Sequence, residues 1–312
     1  MDIRKKRLIF MGTPEISARL LEALIIDGYN FVAVVTRVDA PVGRNKVFTP
    51  PPVKLIAQKY NIPVFQFVKV RLEYEILLSL HAEAIICLAY GQIIPEELLK
   101  SMSIGSLNFH GSLLPKYRGA APLQRAIMCG ENESGVTAME MVKEMDAGQM
   151  YGRLCIPIAN DDNFTSYREK FIQALIPFAL KIIPKYLCKE IVGEEQDAHL
   201  VTFAPPIRRE EHRLSLELPK IDFVNHVRGL SDEPGAYLIW SNQNLKIYKA
   251  HIISDYVINK VGNINSCDKN GIIIQLKDGE VSLDLLQLPG KKELTCGDFL
   301  NGCRNFSNNP VE

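Results

Sequence analysis

The sequence predicts an α/β protein, with a Rossmann-like, mostly parallel sheet covered by helices on both faces and a small C-terminal OB-like β barrel. Two observations lead to this prediction. Up to residue 189, short apolar strands alternate with amphipathic helices, whereas short strands separated by turn residues dominate the remainder. Alternating strands and helices are typical of a parallel sheet. Closely spaced strands with regular turns are typical of a small antiparallel barrel.

The elements of the first part follow in a clear order. Each strand is a short apolar run that ends at a turn residue, and the strands are RLIFMG, NFVAVVT, IPVFQF, AEAIICLAYG, GSLNFHG and GVTAMEMV. The first helix has Pro14 in its first turn and Gly28 at its end, as helix boundaries favour. The predicted helices are PEISARLLEALIIDG, PPPVKLIAQKYN, EYEILLSLH, PEELLKSM and AAPLQRAIMCG.

The second part begins with one predicted helix, KIDFVNHVRGL, and continues as strands. Turn signals recur between these strands, as in a small barrel. The predicted strands are AYLIW, LKIYKAHII, GNINSC, GIIIQLKDG and VSLDLLQLPG.

The length of 312 residues also favours two domains, because a single hydrophobic core seldom extends through a chain of this size. We predict an N-terminal domain over residues 1–189, a linker over 190–207 and a C-terminal β-barrel domain over 208–312. The linker prediction depends on a polar, proline-bearing stretch, EEQDAHLVTFAPPIRREEHR.

Composition narrows the class of protein. With 47% hydrophobic and 23% charged residues, the chain resembles an ordinary globular protein. The formal net charge of zero argues against a protein that coats nucleic acid, although a local basic patch stays open. No apolar run reaches the length of a membrane span or a signal-peptide core. The scattered cysteines contain no Cys-x-x-Cys pair, which indicates a reduced, cytoplasmic protein.

Several cofactor motifs are missing. Gly12 ends the first strand, but Thr13 and Pro14 follow it, so the G-x-G-x-x-G pattern of a dinucleotide site is incomplete. The sequence contains neither a P-loop nor a G-x-S-x-G nucleophile elbow. Five of the six histidines have no spacing typical of metal ligands, so we predict no metal site.

One strand carries polar residues that a structural strand does not need. Asn108 and His110 lie two positions apart and therefore share a face, while Leu107 and Phe109 point to the other side. Gly111 then ends the strand, which places the polar pair at its carboxyl end. Ligands of open α/β sheets bind at that edge.

An asparagine amide and an imidazolium together can stabilise the oxyanion that forms when a carbonyl is attacked. Such a histidine needs a carboxylate to orient it and to favour its charged form. The next predicted strand and the turn after it, GVTAMEMVKEMDAGQM, offer Glu140, Glu144 and Asp146, and the turn-like context of Asp146 makes it the best placed. A structural histidine with satisfied hydrogen bonds remains the alternative on spacing alone.

Beyond this pattern, the chain resembles the methionyl-tRNA formyltransferase family. The resemblance depends on NFHGSLLPKYRGAAPLQRAI and, in the expected order, on LIFMGTPEISARLLEAL, LAYGQIIP, MDAGQM, LVTFAPPI and PGKKELTCGDFLNG. It covers almost the whole chain. The wider group of formyltetrahydrofolate transferases shares only the Asn-x-His, the Ser-Leu-Leu-Pro and the Asp, whereas the loop APVGRNKVFTPPPVK and the C-terminal barrel mark the tRNA-directed member.

The resemblance implies transfer of a formyl group from 10-formyltetrahydrofolate to the α-amino group of methionyl-initiator tRNA. Asn108 and His110 would stabilise the oxyanion, and Asp146 would keep His110 charged and relay a proton. The loop after the strand would bind folate, through Ser112, Leu113, Leu114 and Pro115. A cis peptide bond between Leu114 and Pro115 is a further expectation.

The tRNA would be held in part by the long connection over residues 36–54, which exceeds the usual length of such loops. This connection is basic, and Arg44 and Lys46 are the best candidates for contacts with the acceptor stem. The simpler interpretation is a solvated loop stiffened by its prolines. We expect a cytoplasmic monomer that has no membrane contact.

The chain departs from the family pattern at RLSLEL, at SDEP before GAY, and at Gln149. None of these departures affects the three proposed catalytic residues. Two alternatives stay open. One is another formyltetrahydrofolate enzyme, a hydrolase or an amine formyltransferase, and the other is an RNA-binding protein without activity.

Overall fold

The computed structural model describes residues 2–43, 46–268, 271–303, 306 and 309–312. Two compact units emerge, and each draws on three separate stretches of sequence. The first unit comprises Met1–Ala120, Gly135–Ile156 and Lys170–Ala204, and the second comprises Ala121–Ser134, Pro157–Glu169 and Pro205–Glu312. The domain boundaries proposed at residues 189 and 207 stay a prediction.

The strands have the following bounds: β1 Leu8–Gly12, β2 Phe31–Thr36, β3 Ala40–Val42, β4 Val47–Thr49, β5 Val64–Gln66, β6 Ala84–Leu88, β7 Gly105–His110, β8 Glu133–Glu140, β9 Met150–Pro157, β10 Ala236–Trp240, β11 Gln243–Ser254, β12 Ile264–Asp268, β13 Gly271–Leu276, β14 Gly279–Gln287 and β15 Leu294–Thr295.

The helices have the following bounds: α1 Glu15–Ile26, α2 Pro52–Lys59, α3 Val70–Glu73, α4 Glu75–Leu78, α5 Glu96–Lys100, α6 Pro122–Met128, α7 Phe164–Leu187, α8 Lys220–Leu230 and α9 Cys296–Gly302.

The larger sheet confirms the predicted α/β architecture. Its strand order is β5-β2-β1-β6-β7-β8-β9. The pairs from β5 to β7 are parallel, and β8 runs antiparallel to β7. Every residue of β1 and β6 is buried, as expected of central strands that are covered on both faces.

Close packing explains the single glycine at the end of β1. A Cβ atom on Gly12 would lie 2.7 Å from the Cβ atom of Ser17 in α1 and 2.9 Å from the carbonyl oxygen of Leu88 in β6. A side chain at this position would therefore clash with α1 and β6, which is why glycine is needed there.

The second sheet confirms the predicted antiparallel C-terminal sheet. Its strands follow the path β10-β11-β14-β13-β12, with β15 added beside β14, and all of these pairs are antiparallel. The core of this unit is built from fully buried apolar residues of the sheet and of α8, among them Phe223, Val227, Leu238, Ile274 and Leu283. Closure of the sheet into an OB-like barrel stays a prediction.

Helix α6 belongs to this second unit and packs on α8. A Cβ atom on Gly229 would approach the Met128 side chain to 2.4 Å and the Gln124 carbonyl oxygen to 3.1 Å. The glycine thus permits a close approach of the two helices. Across the described ranges, no helix is long and apolar enough to cross a membrane.

Candidate active site

The Asn-x-His pair lies where the sequence predicts it, at the carboxyl end of β7. Leu107 and Phe109 on the opposite face are 0% and 1% exposed, which confirms that they point into the core. Asn108 is partly exposed and pairs in register with Cys87 of β6. His110 is buried and pairs with Thr137 of β8.

Both ring nitrogens of His110 have neighbours. Nε2 lies 2.8 Å from the carbonyl oxygen of Tyr117. Because a carbonyl can only accept a hydrogen bond, Nε2 carries a proton in this arrangement. Nδ1 lies 3.6 Å from Oδ2 of Asp146, which is longer than an ordinary hydrogen bond. The structure therefore brings His110 and Asp146 together.

Asp146 lies in the connection between β8 and β9 and adopts a left-handed backbone conformation, with φ of 52°. Its Oδ2 accepts a hydrogen bond of 2.8 Å from the amide of Gly119. Its Oδ1 makes no hydrogen bond with any residue that the structure describes. One carboxylate oxygen is thus fixed, while the other remains available to a ligand.

Glu140, the alternative carboxylate, binds other residues instead of His110. Its Oε1 accepts from the amide of Ser106 at 2.9 Å, and its Oε2 accepts from the hydroxyls of Tyr186 at 2.7 Å and Tyr151 at 3.1 Å. These bonds fix the start of β7 to the end of β8. Of the residues proposed to pair with His110, Asp146 is therefore the one that the geometry favours.

The side-chain amide of Asn108 makes no hydrogen bond with the described residues. An amide that is only partly buried and unpaired can donate to a ligand carbonyl. The neighbouring Cys87 is less suited to chemistry, because burial raises the pKa of its thiol to about 12. A thiolate nucleophile is therefore absent from this part of the described site.

The loop after β7 is held from beneath by Thr137, which the sequence analysis did not identify. The buried Thr137 hydroxyl donates to the Ser112 carbonyl at 2.6 Å and accepts from the Leu114 amide at 3.1 Å. The Ser112 hydroxyl donates to the Lys116 carbonyl at 2.6 Å. Many polar groups of the loop thus have partners within the protein, and Leu113 is partly exposed.

The peptide bond between Leu114 and Pro115 is cis, as expected. Leu114 and Pro115 are buried.

Within the long connection over residues 36–54, β3 and β4 pair as an antiparallel ladder. Arg44 lies outside the described residues. Lys46 is exposed and has no ion pair with a described residue. Lys54, in contrast, is bound by Asp39, with its Nζ 2.8 Å from each carboxylate oxygen.

Among the described residues, no group of three or more histidine, cysteine, aspartate or glutamate side chains could hold a metal ion. At the end of β7 lie an amide and an imidazole, with the Asp146 carboxylate beside the imidazole, and such groups can stabilise a carbonyl under attack.

Comparison with known proteins identifies the class to which this fold and site belong. Residues 5–176 match the formyl transferase family, and residues 206–304 match the formyl transferase C-terminal domain. The two matches together cover most of the chain. The chain therefore belongs to the formyl transferase family.

Closer relatives identify the particular family. Methionyl-tRNA formyltransferases from two Staphylococcus aureus strains, Newman and COL, are each 41% identical to this chain over 302 residues. The alignments cover 96% of this chain and 97% of each relative. The chain belongs to the methionyl-tRNA formyltransferase family.

Solved structures share the fold at low sequence identity. HypX from Aquifex aeolicus in complex with tetrahydrofolic acid has a TM-score of 0.64 and 19% identity. The match covers 95% of this chain and 46% of the HypX chain. WlaRD, a sugar 3N-formyl transferase solved with dTDP and 5-N-formyl-THF, has a TM-score of 0.66 and 18% identity, covering 92% of this chain and 99% of its own.

Proposed function

We propose that this protein transfers the formyl group of 10-formyltetrahydrofolate to the α-amino group of methionyl-initiator tRNA. The products are N-formylmethionyl-tRNA, for translation initiation, and tetrahydrofolate. The observation that carries the proposal is the pairing of His110 with Asp146, on the strand that also carries Asn108, in a chain 41% identical to methionyl-tRNA formyltransferases over nearly its full length.

The residues present suit a folate better than a dinucleotide. Pro14 and Ser17 stand where a dinucleotide-binding turn carries its second and third glycines, so the turn after β1 lacks the residues that let a backbone approach a pyrophosphate. Folate carries no phosphate and does not need such a turn. At the end of β7, the unpaired Asn108 amide suits the oxygen of a carbonyl group, which is the reactive part of the donor.

Bound 10-formyltetrahydrofolate supplies an electrophilic formyl carbon. Asn108 then donates a hydrogen bond from Nδ2 to the formyl oxygen and stabilises the negative charge that develops there. A preorganised donor of this kind typically contributes a factor of about 10²–10³ in rate. His110 adds positive charge to the same site when Nδ1 is protonated, because Tyr117 keeps Nε2 occupied as a donor.

Asp146 serves the attacking amine. A free α-amino group has a pKa of about 7.7–8.0, so a substantial fraction is neutral and nucleophilic at cellular pH. Oδ1 of Asp146, which has no partner among the described residues, accepts the proton that the nitrogen loses and passes it toward the departing folate nitrogen. Oδ2 stays fixed by Gly119 during this transfer.

The tRNA is bound in part by the connection over residues 36–54. This connection leaves the carboxyl end of β2, the same sheet edge at which β7 presents Asn108 and His110. We propose that Arg44 and Lys46 contact the phosphates of the acceptor stem. We also propose that the protein acts in the cytoplasm, as a monomer.

Formyl transfer to methionyl-initiator tRNA tests the function directly. We expect formylated tRNA from the wild-type protein with 10-formyltetrahydrofolate, and a loss of at least about 10²-fold in kcat for His110→Ala. His81→Asn, which removes an exposed histidine of the same unit at a left-handed position that asparagine tolerates, is the matched control and should keep wild-type activity. Release of tetrahydrofolate without formylated tRNA would instead favour a hydrolase.

A further inference from the structure

We propose that residues 194–204, here called the strap, position both catalytic loops of this protein, through Gln196 for Asp146 and through Thr202 for His110. The sequence analysis assigns this segment to a linker. Because catalysis is the readout, the inference rests on the proposed function, although one of the tests below does not depend on activity.

The strap is anchored at both ends by backbone hydrogen bonds. At its start, Glu194 and Met150 exchange two backbone hydrogen bonds of 2.8 Å, so the strap is paired with the first residue of β9. At its end, the Arg118 amide donates to the Thr202 carbonyl at 2.9 Å, and the Ala204 amide donates to the Arg118 carbonyl at 2.7 Å. The strap therefore joins the loop that follows β7 to the loop that precedes β9.

Gln196 uses both ends of its side chain on these two loops. Its Nε2 donates to the carbonyl oxygens of Asp146 at 2.9 Å and Gly148 at 2.8 Å. Its Oε1 accepts from Nε and Nη2 of Arg118 at 3.0 and 2.8 Å. An amide offers two donor hydrogens and two acceptor lone pairs, and all of them are used here.

Asp146 needs such support because its backbone is left-handed, with φ of 52°. Residues other than glycine adopt this conformation only where the surroundings hold them there. The Gln196 bond to the Asp146 carbonyl fixes the backbone on one side, while the Gly119 amide fixes the carboxylate on the other.

Thr202 supports His110 in a parallel way. Its Oγ1 accepts a hydrogen bond of 2.9 Å from the amide of Tyr117, whose backbone is also left-handed, with φ of 60°. The Tyr117 carbonyl is the partner of Nε2 of His110 at 2.8 Å. Thr202 thus acts on the imidazole through a single intervening residue.

Gly119 shows how closely the strap lies against the site. A Cβ atom at this position would lie 2.6 Å from the Ala204 carbonyl oxygen, and φ is 125°. Neither Gln196 nor Thr202 touches a reacting atom in this arrangement, so both are positioning residues. A displacement of about 1 Å in a catalytic group is sufficient to lower a rate by about 10²-fold.

The first test replaces Gln196 by Met, which keeps the length of the side chain and removes every hydrogen bond. We expect kcat for formyl transfer to fall by at least about tenfold, with KM for both substrates within about twofold. Gln58→Met is the matched control, because the Gln58 side chain is exposed on α2 and makes no hydrogen bond with a described residue, and it should keep the wild-type kcat.

A double mutant separates positioning of Asp146 from general damage. If Gln196 acts through Asp146, adding Gln196→Met to Asp146→Asn should lower kcat by less than about twofold. An equal loss in both backgrounds would overturn the positioning role. Thr202→Val should lower kcat, because valine lacks the hydroxyl oxygen that accepts from the Tyr117 amide. Thr202→Ser should keep the wild-type kcat, because serine retains that oxygen.

Amide hydrogen exchange provides the test that needs no activity. Gln196→Met should speed exchange in peptides that cover residues 141–149, and Gln58→Met should not. Wild-type protein that forms no formylated tRNA would refute the proposed function, yet the exchange result would still decide the role of the strap. Wild-type exchange in Gln196→Met would overturn the inference.

Discussion

Asn108 and His110 lie on one short strand, but the protein restrains their side chains to different degrees. His110 is held through both ring nitrogens, while Asn108 has no partner within the described site. The structure therefore separates a fixed group from a group that is ready to bind a ligand. This difference predicts which substitution is the more informative about the developing oxyanion.

Asn108→Asp keeps the shape of the side chain and replaces its donor by a negative charge. We expect kcat to fall by at least about 10²-fold, because the carboxylate repels the oxyanion instead of stabilising it. Single-turnover formylation of methionyl-tRNA measures the effect. Asn61→Asp, an exposed position in the same unit, is the control. A variant with wild-type kcat would remove Asn108 from the oxyanion site.

The residues predicted from the sequence are those whose meaning depends on local spacing. Asn108 and His110 follow from strand alternation, and the turn context distinguishes Asp146 from Glu140. Gln196 and Thr202 carry no such signal, because they bind residues 50 and 85 positions earlier in the chain. Only the fold brings these partners together, so a single sequence describes their surroundings as a polar linker.

At the scale of elements, two segments of the second unit are joined by a bidentate ion pair. Arg125 of α6 donates from Nη1 and Nη2 to the two carboxylate oxygens of Glu211, at 2.5 and 3.0 Å. The hydrogen bonds from Arg125, with further help from the Arg208 amide, lower the pKa of Glu211 to about 2. This carboxylate links the stability of the second unit to pH.

The folded pKa of Glu211 lies below its ordinary value of 4.5, so its stabilisation is present above pH 4.5 and is lost as pH falls toward 2. We expect Glu211→Gln to lower the free energy of unfolding at pH 7 by about 2 kcal/mol and to flatten its fall between pH 4.5 and 2.

Urea unfolding followed by fluorescence measures this effect, because the single tryptophan, Trp240, stacks on Phe306 in the same unit. Glu210→Gln is the control, since Glu210 has no ion pair with a described residue. An unchanged pH dependence in Glu211→Gln would contradict the assignment.

The strands and helices could be predicted where the apolar periodicity was clear. An element was missed where another feature, such as an internal proline, argued against it. The strands β1, β2, β6 and β7 follow from their apolar runs. The 24-residue helix α7 was not predicted, and it contains Pro177 and Pro184. Proline removes a backbone donor and ordinarily ends a helix, so the sequence argues against a helix that tertiary packing nevertheless retains.

The protein has no formal net charge, so the attraction of tRNA depends on locally basic surface rather than on the charge of the whole molecule. Lys46→Ala should weaken methionyl-tRNA binding and reduce the slope of log affinity against log salt by about 0.7–1, as expected when one phosphate contact is lost. Filter binding over a range of salt concentrations measures the slope.

Lys5→Ala is the charge-matched control, because Lys5 precedes β1 and therefore lies toward the sheet edge opposite the site. A slope unchanged in Lys46→Ala would exclude this lysine from the interface with tRNA.

The interleaving of the two units has a consequence for synthesis on the ribosome. Helix α6 emerges early, yet the helix α8 on which it packs and the sheet that completes its core are translated only later. Met128, the α6 residue that packs against this core, therefore remains uncovered while the intervening chain is made. Nascent chains stalled before residue 205 should consequently be bound by chaperones, and chains that extend beyond α9 should be released from them.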